Sequence, residues 1–211
     1  MVLTTKNITK IDFDLLHNFL ALGGPLHASL FSTLKKHVQK RSFKKGEAIL
    51  KAGDTEVYAN IVVKGVVLQY IYDEDVPKTV NITPVGLCFN ALKSYLEEVP
   101  SNEIHEAITD VEILSLKKTD LERLAQEHHE FSYQMFKVYE NILLDRENRM
   151  FVLQHRSPAK RFSLFHDIIE RAHWMLEDTP DKYIASYLNM TPQQYSKEKK
   201  KHLASIATTT L

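Results

Sequence analysis

The chain has 211 residues, 27 Lys or Arg balancing 27 Asp or Glu, and 44% hydrophobic residues; these proportions fit an ordinary soluble globular protein with room for one large domain or two small ones. No stretch reaches the length of a membrane span and the N-terminus lacks a basic-then-apolar signal segment, so no membrane partner is expected and the expected location is the cytoplasm. A single cysteine, Cys88, excludes internal disulfides and an all-cysteine iron–sulfur site within one chain, and reads as a small buried apolar residue. The neutral total hides an asymmetry. Residues 155–211 carry nine Lys or Arg against six Asp or Glu, net +3, leaving 18 against 21, net −3, in the rest.

In chain order, residues 11–22 (IleAspPheAspLeuLeuHisAsnPheLeuAlaLeu) are amphipathic at helical spacing, and a second short helix is predicted near His27 to His37. From Val38 to about Leu116 the period changes. AlaAsnIleValVal, ValValLeuGlnTyrIleTyr, ThrValAsnIleThr and ValGluIleLeuSerLeu read as short strands, punctuated by Gly46, Gly53, Gly65 and Gly86, and many short strands with glycine corners imply a roll or barrel.

ThrAspLeuGlu at 119–122 carries a capping-box signature, and helical periodicity runs from there to about His155. Along it Phe131, Met135, Val138, Ile142 and Val152 form one apolar row, and Phe136, Tyr139, Leu143, Met150 and Leu153 form a parallel row one residue on. Two rows exceed what one covered face needs, so one is expected on the roll and the other against a second copy; the first is assigned to dimerisation. The alternative is a helix packed on the roll alone. AspArgGluAsnArg (145–149) interrupts both rows and reads as a solvated or hinge segment. Ser157-Pro158 then opens a capped helix running to about Leu176.

Thr179-Pro180 and Thr191-Pro192 each put an N-cap hydroxyl ahead of a proline suited to the first helical position. Tyr183, Ile184, Tyr187 and Leu188 supply an apolar stripe between them, and Asn189 stands at the turn with tolerance of positive φ. The unit has the length of a helix-turn-helix. On its second helix Gln193, Gln194, Lys197, Lys200 and Lys201 fall within an arc of roughly 120°. Gln suits an adenine edge, Lys suits guanine acceptors, and flanking lysines with the N-terminal amides suit phosphates. The competing reading is a solvated lysine run on a terminal helix. Opposite the basic arc lie Tyr195, Glu198 and His202, and Glu198 is a poor choice where packing is needed: either the helix is rotated or Glu198 sits at the rim.

LysLysGlyGluAlaIleLeuLysAlaGlyAsp (44–54), the later LysGly (64–65) and LysTyrIleAlaSerTyrLeuAsnMetThrPro (182–192) resemble the Crp/Fnr family of bacterial transcription regulators, over nearly the whole chain. The resemblance implies an α+β protein: an N-terminal β-roll of double-stranded β-helix or jelly-roll type with flanking helices (1–118), a long dimerisation helix (119–156) and a C-terminal winged-helix-like helix-turn-helix domain (157–211). It implies a homodimer bound to an imperfect palindrome in double-stranded DNA, with RNA polymerase as a further partner. Gln193 and Lys197 then take the base-reading positions, and Thr191, Gln194, Lys200 and Lys201 suit the backbone; with Ser196 these form the expected DNA-binding set. Pro192 cannot hydrogen-bond a base, and Lys197 stands where arginine is usual, giving up its fork geometry.

In the family a GlyGlu pair and a later Arg-Ser/Thr hold a cyclic nucleotide. Here Gly86 is followed by LeuCysPheAsnAlaLeu, and the arginine's segment reads ValProSerAsnGluIleHisGluAla. A phosphate beside Glu103 and Glu106 without arginine meets like-charge repulsion, so cyclic AMP is not the expected ligand and no cofactor is predicted. The cysteine set of oxygen-sensing members and a haem ligand pair are missing, and His105, His128 and His129 read as ordinary histidines rather than metal ligands. No His-x-His with a following Glu and His supports a metal-binding cupin, and no nucleophile–base pair supports an enzyme. The alternative function is a ligand-sensing or protein-interaction module whose helix-turn-helix is degenerate.

Overall fold

The computed structural model describes residues 8–168, 175 and 177–209, with side-chain surroundings as far as Ala204. Two helices, α1 (Lys10–Ala21) and α2 (Ala28–Lys35), precede strands β1 (Gln39–Phe43), β2 (Ala48–Leu50), β3 (Tyr58–Lys64), β4 (Val67–Asp73), β5 (Val76–Thr83) and β6 (Cys88–Phe89). The chain continues through helix α3 (Leu92–Glu97), strands β7 (Ile104–Ala107) and β8 (Val111–Lys117), and helices α4 (Lys118–Glu127), α5 (His129–Gln154), α6 (Pro158–Ile168), α7 (Asp181–Tyr187) and α8 (Pro192–Thr209). The strands form two four-stranded sheets, ordered β1-β8-β3-β6 and β2-β7-β4-β5. Every pairing is antiparallel. Gly46, Gly53, Gly65 and Gly86 all sit at positive φ, as corners of a roll require. At Gly65 any side chain would also collide with the Asp110 carbonyl and the Thr109 hydroxyl.

Period-two alternation divides the first sheet between two cores. Phe43, Val62, Phe89, Val111 and Ile113 face the roll interior, whereas Ile61, Leu114 and Leu116 face outward to Leu16, Leu20, Leu34, Leu121 and Phe131 of the covering helices. Lys40 on β1, buried among those helices, donates to Asp12 (2.7 Å) of α1 and pairs with Glu112 (2.8 Å). Asp12 also closes a capping box with Thr9, so one carboxylate both starts the first helix and docks it.

Several expectations for the helical region change. The ThrAspLeuGlu box does not form: β8 runs directly into α4, whose first amide, on Lys118, donates to the Val57 carbonyl (2.9 Å). The predicted single helix is two, broken at His128 (φ −129°, ψ 99°). The break turns Phe131 into the core and lets Gln134 Nε2 donate to the carbonyls of Gly24 (3.3 Å) and Pro25 (2.7 Å).

Of the solvated or hinge reading for 145–149, the hinge is not seen, while Arg146 and Glu147 are exposed. The segment is helical throughout, and Arg149 donates through Nη2 to the carbonyls of Thr79 (3.1 Å) and Tyr187 (3.2 Å). The row expected to face a second copy is turned inward instead: Phe131, Val138 and Val152 are buried within the chain itself, and Met135 and Ile142 are half-buried. Exposed instead are Phe136, Tyr139, Leu143 and Met150, with Tyr133, Leu144 and Phe151 beside them.

A third core crosses from the roll to the C-terminal helices. Val66, Leu68, Ile82 and Ile108 of the roll and Val152 of α5 pack with Phe162, Phe165, Ile184, Ala185, Tyr187, Leu188, Met190 and Tyr195. The C-terminal helices are therefore fused to the roll. No strand flanks them among the described residues, so the wing of the expected winged helix is not seen there. Of the helix predicted from Ser157-Pro158 to about Leu176, residues 169–174 and Leu176 lie outside the described residues. No described helix is long and apolar enough to cross a membrane.

Candidate nucleic-acid interface

Helix α7 ends at Tyr187, and Asn189 takes φ 52°, the left-handed conformation that lets the chain turn at once. The Met190 amide donates back to the Ala185 carbonyl (2.8 Å). Thr191 then caps α8 as expected, in a full capping box: its hydroxyl accepts from the Gln194 amide (3.2 Å), and the Gln194 side-chain oxygen accepts from the Thr191 amide (2.9 Å). The matching cap at Thr179 is absent. That residue is buried, its hydroxyl has no partner among the described residues, and Pro180 is the capping residue of α7.

The inner side of α8 is anchored by Tyr195, which is fully buried with its ring 5.5 Å from that of Phe162. His202 continues this side, stacked on His166 of α6 at 4.7 Å and 19°. Burial, and then the charge of His202, hold the His166 imidazole below its ordinary pKa. Glu198 lies at the rim, only 13% exposed, where it accepts from Lys201 Nζ (2.9 and 3.1 Å). The helix is thus not rotated from the orientation that places the basic arc outward.

Thr191, Pro192, Gln193, Gln194, Ser196, Lys197, Lys200 and Lys201 are all exposed, and Pro192, Gln193, Ser196, Lys197 and Lys200 line one shallow groove. They are not equivalent. The Gln194 oxygen is committed to the cap and Lys201 to Glu198, while Lys199 reaches back to Asp181 of α7 (2.7 Å). Gln193, Ser196, Lys197 and Lys200 are left on the outward face with no side-chain partner among the described residues.

Two arginines outside the motif hold its turn, and sequence periodicity gives no sign of either. Arg149 binds the Tyr187 carbonyl and lies over the Tyr187 ring (4.2 Å). Arg161, buried on α6, donates to the carbonyls of His155 (2.6 Å), Arg156 (3.0 Å) and Asn189 (2.8 Å).

The roll interior holds a second polar constellation. Gln69 Nε2 donates to the Asn90 carbonyl and to Glu103 Oε2, both at 3.2 Å, and lies 3.0 Å from His105 Nε2. Its oxygen accepts from Asn81 (3.0 Å). His105, fully buried, lies 3.2 Å from Glu103 and 3.8 Å from Glu56. Burial raises the Glu56 pKa against the pull of the Tyr58 amide, His105 and Arg41. Thus Glu103 and His105 belong to one internal network, whereas Glu106 points to Tyr70 (3.1 Å). His128 and His129 line a shallow surface pocket between α2 and the α4–α5 break, and no metal-ligand cluster occurs among the described residues.

Residues 40–128 match the family model of the cyclic nucleotide-binding domain, which defines the class of the roll. FixK2 from Bradyrhizobium japonicum is similar at 22% identity, with a TM-score of 0.67 over 80% of this chain and 85% of that one. A CooA mutant from Carboxydothermus hydrogenoformans is similar at 17% identity, with a TM-score of 0.62 over 97% of this chain and 87% of that one. The sensor domain of the transcriptional regulator DNR from Pseudomonas aeruginosa is 13% identical, with a TM-score of 0.54 over 70% of this chain and 95% of that one. These likenesses establish the fold. No curated protein matches the chain.

Proposed function

We propose that this chain is a homodimeric, sequence-specific DNA-binding transcription regulator of Crp/Fnr type that does not respond to cyclic AMP. The observation that carries the reading is the two-sidedness of α8: Tyr195 is sealed inside, while Gln193, Ser196, Lys197 and Lys200 stand exposed on the other side, without side-chain partners among the described residues. An exposed amide, hydroxyl and two ammonium groups on one side of a helix match base edges and phosphates of a major groove. Dimerisation is assigned to the exposed row Phe136, Tyr139, Leu143 and Met150 of α5, because four large apolar side chains on one side of a long helix, though interrupted by Arg146 and Glu147, are costly to leave in water. Two copies joined there would present two α8 helices to successive major grooves about 34 Å apart.

Cyclic AMP is disfavoured by the roll's own chemistry, since Glu103 already supplies an anion to Gln69 and His105. A second anion there would displace or face that carboxylate. The reading is tested by selecting genomic fragments with the purified protein at moderate salt and measuring binding to the enriched sequence. An enriched imperfect palindrome, weakened steeply by salt and unaffected by cyclic AMP, is expected. Recovery of no enriched sequence would instead support a protein-interaction or ligand-sensing module with a degenerate motif, the reading that Pro192 and the Glu198–Lys201 pair favour.

A further inference from the structure

The second sheet has β5 as an edge strand, and an edge strand leaves backbone groups pointing away from its neighbour. At Thr79 both of these groups are taken up by other parts of the chain. Its amide donates to Ser186 Oγ on α7 (3.0 Å), and its carbonyl accepts from Arg149 Nη2 on α5 (3.1 Å). The same Nη2 donates to the Tyr187 carbonyl (3.2 Å) in the last turn of α7, with the guanidinium 4.2 Å from the Tyr187 ring centroid. A helix C-terminus carries partial negative charge, so a cation there is doubly favoured. Arg149 therefore joins three elements: the roll edge, the long helix that carries the exposed apolar row, and the first helix of the reading unit.

We propose that Arg149 is a positioning residue for DNA reading, a clasp that fixes the angle of the α7–α8 unit against the roll and so the separation of the two recognition helices in a dimer. The inference rests on the regulator reading for its consequence, but its structural part stands apart from it. Lysine does not replace arginine here, because one ammonium cannot stack flat on Tyr187 while its hydrogens serve two carbonyls. Position 149 lies on α5 rather than α8 and is not one of the exposed apolar residues of α5, so its proposed effect on DNA reading is through the placement of α7 and α8.

The test compares wild type, Arg149→Ala and Arg149→Lys on DNA carrying two half-sites at a series of spacings, and on DNA with a single half-site. Wild type should bind best at one spacing. Arg149→Ala should lose about tenfold in affinity at that spacing and change by less than about twofold at a single half-site, so that the spacing optimum flattens. A sharp optimum retained in Arg149→Ala overturns the proposal, as does an equal loss at the single half-site, which a general structural defect would give. If Arg149→Ala does not fold, Arg149→Lys must show the flattening, and a wild-type profile from it overturns the proposal. Hydrogen exchange of the free proteins decides the clasp separately. Faster exchange within 76–83 and 181–190 with 111–117 unchanged is expected, and unchanged exchange in all three segments overturns it even if wild type binds no DNA and the regulator reading fails.

Discussion

Replacing Tyr195 by Phe should make this protein more stable, although it removes a polar group from a helix that carries the proposed function. Tyr195 is 0% exposed, and its hydroxyl has no hydrogen-bond partner among the described residues. Burial pushes its pKa well above the usual phenol range, with the charge of Asp181 adding to the effect. A buried donor left unpaired costs about 1–3 kcal/mol. The ring itself sits 5.5 Å from Phe162 at 57°, a packing that phenylalanine preserves. Taking the low end, Tyr195→Phe should gain about 1 kcal/mol, equivalent to about 2–4 °C in Tm for a chain of this size. Tyr195→Ala should instead lose about 3–5 kcal/mol, since it empties a large buried volume. Urea denaturation with an unchanged slope measures both, and DNA affinity should be unaltered in the Phe variant because the ring faces inward. A fall in stability on Tyr195→Phe would mean that the hydroxyl has a polar partner. The inward orientation of the ring, which rests on its burial against Phe162, would stand, but the unpaired hydroxyl would be refuted.

Glu198→Gln should raise DNA affinity and steepen its salt dependence by about 0.9 in log–log slope, because it removes an anion beside the groove and releases Lys201 for one more phosphate; a binding series from low to moderate salt reads both. Leu143, 69% exposed on the proposed dimer face, should give a monomer on substitution by Glu, detectable by sedimentation with helix content unchanged. Acid should loosen the reading unit through His166, whose folded pKa lies below its ordinary value of 6.5 through burial and the facing His202, against an opposing effect of Asp167. A depressed folded pKa means that the unfolded chain binds the proton first. The stability it contributes is full above about pH 6.5 and is lost as pH falls through the folded value. Tm between pH 7.5 and 5 should therefore drop less in His166→Gln than in wild type.

Local chemistry explains which parts of the fold were legible. The glycine corners, the alternating strands and the Thr191 cap each depend on a few neighbouring residues, and all three stand where the pattern puts them. The errors arise where a distant group supplies what the local signal promised. The ThrAspLeuGlu box has the right residues, but the Val57 carbonyl reaches the Lys118 amide first, and Asp120 is drawn to His37 (3.3 Å) and Arg123 (3.3 Å). The break at His128 has no glycine or proline to announce it. It comes from tertiary demand: Phe131 and Gln134 meet the α1–α2 region only if the chain bends there.

The two apolar rows of α5 show a stricter limit. They are one residue apart, about 100° around the helix, and similar in composition, so periodicity shows that two faces exist without saying which one meets the roll. The choice is made by the third core, where Val152 packs with Tyr187 and Phe165, and by Gln134 reaching the loop after α1. Arg149 follows from the same geometry. On a helical wheel it is one more charged residue in AspArgGluAsnArg and reads as solvated, yet the rotation that buries Val152 also directs position 149 toward the β5 edge. A residue that looks most dispensable in the linear pattern is in this way the one that three elements share.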